Sequence, residues 1–499
     1  MNIQEYKQMI DSFGIEKTWA KILRSFDEKK PILELESFGD YYEIGLAYVN
    51  KHDKKSSGKY YTPKDVSSLL ASFSTGMEYE TVADVGCGTG NLILAFLDYI
   101  GEEKANYLLD NNKIYLYDMD YLALSICIKS IEIKYKKKGI NCIAGDFLRK
   151  TTYIPEKCLV ISNPPYGSFK EIDSKWETSE NLKKSKDLYS AFMEKIIKKV
   201  DNAIIITPFS FIGGKQFYEL RKIMNNYGGQ IYAFDNVPSS IFNRKKHGIF
   251  NSNTSNSVRT AITIVKKDEK GKGFQVTPLL RFNAEERDKL IHKDILKEYI
   301  GNKYQKVSDE NQMYYKCFNE LLPIFEAYLK NSNRTFSELI SKEKTEFKMD
   351  ISTSGRYYLG GASKGLNRTG KETFYFNNER DFVFAYAFVN SSFAYFYWRI
   401  YDGNITYPKS LLMSAKIFDN KINTVEYLKL KQIVEEMISK ENEFLVYKKN
   451  AGKMQENIKF PIEYRDKLNK ILLELIGIEE KNSKLFNIVH SSNLFEPEN

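Results

Sequence analysis

Thr81-Val-Ala-Asp-Val-Gly-Cys-Gly-Thr-Gly-Asn91 decides the fold of this chain. A short apolar run, TVADV (81–85), leads into three alternating glycines and then into Asn91-Leu-Ile-Leu-Ala-Phe-Leu, whose apolar spacing is helical. Glycines at 86, 88 and 90 let the backbone turn sharply and approach a ligand where a β-carbon would clash. At the carboxyl end of a first strand, such a loop binds a nucleotide-like cofactor in a doubly wound sheet. The spacing is Gly-x-Gly-x-Gly and not the Gly-x-Gly-x-x-Gly of dinucleotide enzymes. Asp84, just before the first glycine, would repel a pyrophosphate and welcome a cationic group.

Outward from this loop the same alternation repeats. Apolar runs at 113–117, 141–144, 158–162, 202–207 and 230–234 are separated by segments of helical spacing, such as Tyr121 to Tyr135 and Leu188 to Val200. This is the pattern of βαβ units and a mostly parallel sheet, with Val258 to Val265 expected as an antiparallel strand of it. The strand ends carry the chemistry. Asp118, about thirty residues beyond the glycine loop, is placed to accept hydrogen bonds from ribose hydroxyls, with Met119 beside it to pack on a base. Asp146 offers a carboxylate to an adenine amine, and Phe147 a ring. After the fourth strand come Asn163-Pro164-Pro165-Tyr166. Prolines lock the backbone there, so the Pro164 carbonyl and the Asn163 amide oxygen can accept both protons of a flat amino group, while Tyr166 supplies a stacking face.

Composition bounds the rest. The 499 residues are 42% hydrophobic and 14% aromatic, enough for sizeable cores in two or three domains. No run approaches the length of a membrane span, and the first residues are charged where a signal peptide would be apolar, so a cytoplasmic protein is expected. Five scattered cysteines and four histidines give little material for a disulfide framework, a metal centre or a Ser-His-Asp triad, and no metal is expected. A net charge of +9 suits a polyanion without proving one. The expected divisions are an N-terminal helical segment (1–57), the α/β half (58–267), an aromatic-rich mixed α+β region (268–423) and a helical end (424–499).

In order and wording, these motifs resemble the adenine-N6 DNA methyltransferases of bacterial restriction–modification systems, in the arrangement where cofactor motifs precede the catalytic one and a target-recognition domain follows. The resemblance covers roughly residues 58–267. It runs from GKYYTPKDVSSLL (58–70), through the glycine loop, Asp118, Asp146-Phe147 and Asn-Pro-Pro-Tyr, to Asp187-Leu-Tyr-Ser-Ala-Phe192 and Asn236-Val-Pro-Ser-Ser-Ile-Phe242. It implies a Rossmann-like, seven-stranded methyltransferase sheet and S-adenosyl-L-methionine as cofactor. The cofactor would be held by Tyr61, Thr62, Pro63, Asp84, Gly86, Gly88, Gly90, Asp118, Met119, Asp146, Phe147 and Phe192. Asn163, Pro164, Pro165, Tyr166 and Phe242 would act on an adenine flipped out of duplex DNA, with Tyr166 and Phe242 sandwiching its ring. A basic insertion, 243–259, departs from the family pattern and offers Phe250 as an alternative to Phe242.

Asn-Pro-Pro-Tyr also occurs in enzymes that methylate a release-factor glutamine or RNA, but those are compact and have no need of a long second half. That half carries the basic glycine loop GGASKGLNRTGK (360–371), whose Lys364, Arg368 and Lys371 are candidates for phosphate contact. The aromatics of Phe374-Tyr-Phe376 and Asn390 to Arg399 read as core before they read as base-stacking platforms. A non-catalytic specificity subunit would not need an intact Asn163-Pro-Pro-Tyr166. Cleavage would require a separate cognate restriction endonuclease.

Overall fold

The computed structural model describes the chain except residues 50–61, 237, 243–257, 291–292, 299–312, 356–357, 404–405, 420–421, 451, 480–484 and 491–499. Tyr61, Phe250 and most of the basic insertion lie outside the described residues. Two compact units are present. The first comprises Met1–Val276 with Asn283–Tyr314, and the second Thr277–Phe282 with Tyr315–Asn499.

The first unit is built on β1 (Thr81–Val85), β2 (Ile114–Asp118), β3 (Ile140–Ala144), β4 (Cys158–Ser162), β5 (Asn202–Pro208), β6 (Gly228–Phe234), β7 (Thr260–Val265) and β8 (Gly273–Val276). Their order in the sheet is β3-β2-β1-β4-β5-β7-β6-β8. β1 to β5 run parallel, and β7 lies antiparallel between β5 and β6. Each of the seven expected strands forms. The eighth, β8, pairs parallel with β6 beyond the expected boundary at 267. Ile204, Ile205 and Ile206 of β5 are all fully buried, as a strand covered on both faces requires.

Four N-terminal helices precede the sheet: α1 (Ile3–Phe13), α2 (Ile15–Asp27), α3 (Phe38–Val49) and α4 (Lys64–Ser72). The first three are not a separate segment. Their core of Tyr6, Trp19, Ile22 and Phe38 is continuous with Ala123 and Ile126, one face of the later helix Tyr121–Tyr135. The strand-to-helix connections are α5 (Asn91–Ile100), α6 (Glu102–Asp110), α7 (Tyr121–Tyr135), α8 (Glu180–Ser185), α9 (Leu188–Lys199) and α10 (Tyr218–Met224).

The second unit has one large core, in which Phe374, Phe376, Tyr386, Phe393, Tyr395 and Trp398 are buried. The aromatic runs are therefore core, as their density suggested. A three-stranded sheet orders Gly361–Ala362, Lys348–Ser352 and Lys371–Tyr375. The end of the chain is not wholly helical. A two-stranded hairpin, Leu445–Asn450 with Lys453–Ile458, separates helices Thr424–Ser439 and Ile462–Leu475. Its alternation was hidden by lysines at successive positions.

Candidate active site

Strand register brings the two decisive loops together. β1 and β4 are parallel neighbours with Val85 opposite Ser162, so Gly86 and Asn163 leave the sheet side by side. The Ser162 hydroxyl ties the ends by donating to the Val85 carbonyl at 2.6 Å. A β-carbon on Gly86 would stand 3.4 Å from the Asn163 carbonyl oxygen. Strand order reverses between these two strands, and ligands of open α/β sheets bind at such a switch point. A cavity of about 230 Å³ opens there. Thr62, the glycine loop, Asp118, Met119, Phe147, Asn163, Pro164, Pro165 and Phe192 are among its lining residues.

The glycine loop is held from beneath. Gly86 and Cys87 both donate backbone N–H groups to the Tyr117 carbonyl, at 2.8 and 3.1 Å. Gly90 has φ +95°, and a β-carbon there would meet the Cys127 sulfur of α7 at 2.6 Å, so glycine is required both for conformation and for space. Asp118 receives the Gly88 N–H at 2.7 Å and the Asp120 N–H at 2.8 Å. Its carboxylate is thus aimed along the loop on the cavity wall, and a carboxylate has lone pairs for further donors. Asp120 is itself fixed by the Tyr42 hydroxyl of α3 at 2.8 Å.

Asp84 takes a different place from the one expected. It is fully buried behind the loop, accepts the Ile93 N–H at 3.1 Å, and is absent from the cavity lining. Burial pushes its carboxyl well above the usual carboxylate range, and nearby Asp118 pushes it further. Asp84 thus supports the start of α5 from behind the loop and does not face the cavity. Asp146 also turns elsewhere. Its oxygens accept the Leu148 N–H at 2.9 Å and the Trp176 indole N–H at 2.5 Å, while its neighbours Gly145 and Phe147 line the cavity.

Phe147 and Phe192 form the apolar wall, with ring centroids 5.2 Å apart and planes inclined by 32°. Lys195, one turn along α9 from Phe192, donates to the Phe147 and Arg149 carbonyls at 2.7 and 2.6 Å, and burial pushes its ammonium down to about 8. Met119 is 73% exposed and stands at the rim.

Thr62 joins the two halves of the site. Its carbonyl accepts from the Asn91 side chain at 2.9 Å, and its hydroxyl accepts from Asn163 Nδ2 at 3.0 Å. Pro63, buried behind it, is the N-cap residue of α4. The Tyr166 hydroxyl donates to the Ile206 carbonyl at 3.2 Å. Tyr166 and Phe242 do not form a parallel pair. Their centroids are 6.1 Å apart with planes at 64°, and Phe242 is buried, so this edge contact leaves no slot for a flat ring. A sandwich between them would require one ring to move.

Arg287 was not expected in this half at all. It clamps the Phe242 segment by donating to the Ser240 and Ile241 carbonyls at 3.2 and 2.7 Å, while its guanidinium binds Asp65 of α4 in a two-pronged pair at 2.6 and 3.1 Å. No motif marks an arginine that meets its partner across 222 residues.

In the second unit the basic loop is tied inward. Lys371 pairs with Asp350 at 2.6 Å and donates to the Leu366 carbonyl. Arg368 is half-buried against Asn457 and Ser354, and burial lowers its pKa. Lys364 is exposed and reaches Asn442 at 2.7 Å. The expected phosphate role of Lys371 thus gives way to an internal ion pair.

Sheet order and the switch-point cavity together define a Rossmann-like α/β fold with a cavity between its glycine loop and an Asn-Pro-Pro-Tyr loop. The chain belongs to the N-6 DNA methylase family, whose model matches residues 34–347. It is 23% identical over 367 residues to the methylase subunit of the type I restriction enzyme MpnII of Mycoplasma pneumoniae, covering 66% of this chain and 58% of that protein. To the EcoEI methylase subunit of Escherichia coli it is 19% identical over 214 residues, covering 41% of this chain and 43% of the other. The chain therefore spans about half the length of these relatives, 58% of one and 43% of the other. A type I restriction–modification methyltransferase subunit from Streptococcus thermophilus superposes with a TM-score of 0.38 at 15% identity, over 55% of this chain and 61% of that one. Among the described residues, no helix is long and apolar enough to cross a membrane.

Proposed function

We propose that this chain transfers a methyl group from S-adenosylmethionine to N6 of an adenine flipped out of duplex DNA, within one short sequence, as the modification arm of a restriction–modification system. The observation that carries the reading is the Thr62–Asn163 hydrogen bond on the cavity wall. With Asn163 Nδ2 donating to the Thr62 hydroxyl, the amide oxygen is the end we take as acceptor for a target amine, and the contact supports that reading.

The residues fit the cofactor. The loop of Gly86 and Gly88 offers close backbone approach, Asp118 a carboxylate for ribose hydroxyls, and Phe147 with Phe192 an apolar wall for the base, whereas Gly90, expected among the cofactor contacts, faces Cys127 and is not among the lining residues. When bound, that cofactor supplies an electrophilic methyl on a sulfonium. The Asn163 oxygen and the Pro164 carbonyl would accept hydrogen bonds from the two N6–H groups, which localises the nitrogen lone pair for attack. As the N–C bond forms, the C–S bonding pair stays with sulfur as a neutral thioether, and N6 then loses one proton to solvent. Tyr166 gives the flipped ring a face. Orientation and polarisation by fixed dipoles supply the rate, and flipping costs a few kcal/mol of stacking and pairing. Target recognition falls to the region after the catalytic half, and cleavage to a separate endonuclease.

Asn163→Ala tests the reading. Methyl transfer should fall at least about a hundred-fold while cofactor affinity by calorimetry stays near wild type, because the lost contact is to the target amine. Parallel loss of both would make the loop structural and the reading wrong.

A further inference from the structure

The hairpin Leu445–Ile458 of the second unit displays a surface that its own packing does not explain. Its base is anchored. Ile458 is buried with Ala362 and Leu366, and Phe444, Leu445 and Phe460 pack on that cluster. On the outer rungs, Tyr447↔Glu456, Lys448↔Gln455 and Lys449↔Met454 contain no buried residue, and Lys453 beyond them is exposed. Tyr447 is 56% exposed and Met454 58%, an aromatic and an apolar chain on a face that an isolated hairpin has no reason to display.

Charge points to the kind of partner. Lys448, Lys449 and Lys453 are all exposed and take part in no ion pair among the described residues. The one acid on the strands, Glu456, is turned to the Asn367 N–H at 2.8 Å. The ribbon is also stiff. Its second strand is laced to the basic loop by Glu456 N–H to the Asn367 carbonyl at 3.0 Å, by Gln455 Nε2 to the Thr369 hydroxyl at 3.1 Å, and by Arg368 to Asn457. An isolated two-stranded hairpin is marginal in water, and these bonds hold this one in a single shape.

We propose that this ribbon is a duplex-DNA contact of the chain: it enters the major groove by the face that bears Tyr447, Lys449 and Met454, with Tyr447 and Met454 toward the bases. The long lysines, Lys449 on that face and Lys448 and Lys453 on the other, reach the flanking phosphates. The inference rests on the DNA reading above. A two-stranded ribbon matches the roughly 12 Å width of the major groove, and lysines set its register on the backbone while base contacts specify. It moves the DNA contact from the basic loop, which is largely tied inward, to the element that loop braces.

The test uses the full-length protein and a duplex carrying the site it methylates. Changing Lys448, Lys449 and Lys453 together to alanine should weaken binding about ten-fold or more at physiological salt, about equally for all sequences, and reduce the slope of log affinity against log salt by about 2.7. Cofactor affinity should not change. A photo-crosslinking residue at Tyr447, which leaves the lysines intact, should attach to duplex DNA. Unchanged affinity and slope in a folded variant, or crosslinking only to protein or RNA while wild type still binds and methylates DNA, would overturn the ribbon assignment alone. Wild type that binds no DNA would overturn both the assignment and the reading beneath it.

Discussion

Asp187 shows how one residue's surroundings set a measurable property. It stands at the start of α9, opposite Ser168, where the Leu188 N–H donates to the Gly167 carbonyl at 2.7 Å and ties the segment after Tyr166 to that helix. Burial pushes its carboxyl up to about 7, against the opposing hydrogen bond from the Tyr189 backbone. An acid whose pKa rises on folding holds its proton more tightly in the native state. Its stabilising contribution is complete below the usual carboxylate range and is lost as pH climbs from about 4 to about 7. Asp187→Asn keeps the size and shape of the side chain at this N-cap position without the charge. The variant should melt higher than wild type at pH 8 and no higher at pH 4, and equal melting curves at both would refute the burial assignment. Some of the site was legible residue by residue, because glycines, prolines and Asn163 carry their chemistry in their type. The roles of Asp84 and Asp146 were not, because whether an acid at a strand end faces ligand or core depends on rotamer and neighbours. Asp146 meets Trp176, thirty residues away, and nothing local encodes that bond.

At the scale of elements, the alternation of apolar runs and helical spacing identified β1 to β7, because central strands such as β4 and β5, buried on both faces, must be apolar throughout. β8 escaped notice because GFQV is short and begins with glycine. The clamp beyond it matters more. Arg287 is 4% exposed at its side chain and Asp65 32%. Removing the arginine leaves the Ser240 and Ile241 carbonyls without its donors, and Arg287→Ala should cost about 3 kcal/mol by chemical denaturation, the low end for breaking a buried pair. The same change should loosen the segment bearing Phe242 and raise KM for the nucleic-acid substrate more than KM for the cofactor. A loss below about 1 kcal/mol would mean that the clamp is incidental.

At the scale of the molecule, the units cut the chain differently from its composition. The aromatic-rich region begins near 268, yet β8 and Asn283–Tyr314 belong with the sheet. A chain ending at Lys267 should therefore express poorly or melt early, whereas one ending at Tyr314 should retain cofactor binding and lose selective DNA binding. Equal stability of the two truncated chains would contradict the assignment of residues 268–276 and 283–314 to the sheet unit. The central claim concerns the substrate, and one measurement reaches it directly. Transfer of labelled methyl groups from S-adenosylmethionine is followed in parallel to duplex DNA, RNA and a release-factor protein, with the product mapped by sequencing of modified bases. The account predicts N6-methyladenine in duplex DNA within a single short motif, and none in the Asn163→Ala variant. Label in RNA or in a protein glutamine, with duplex DNA inert, would contradict it.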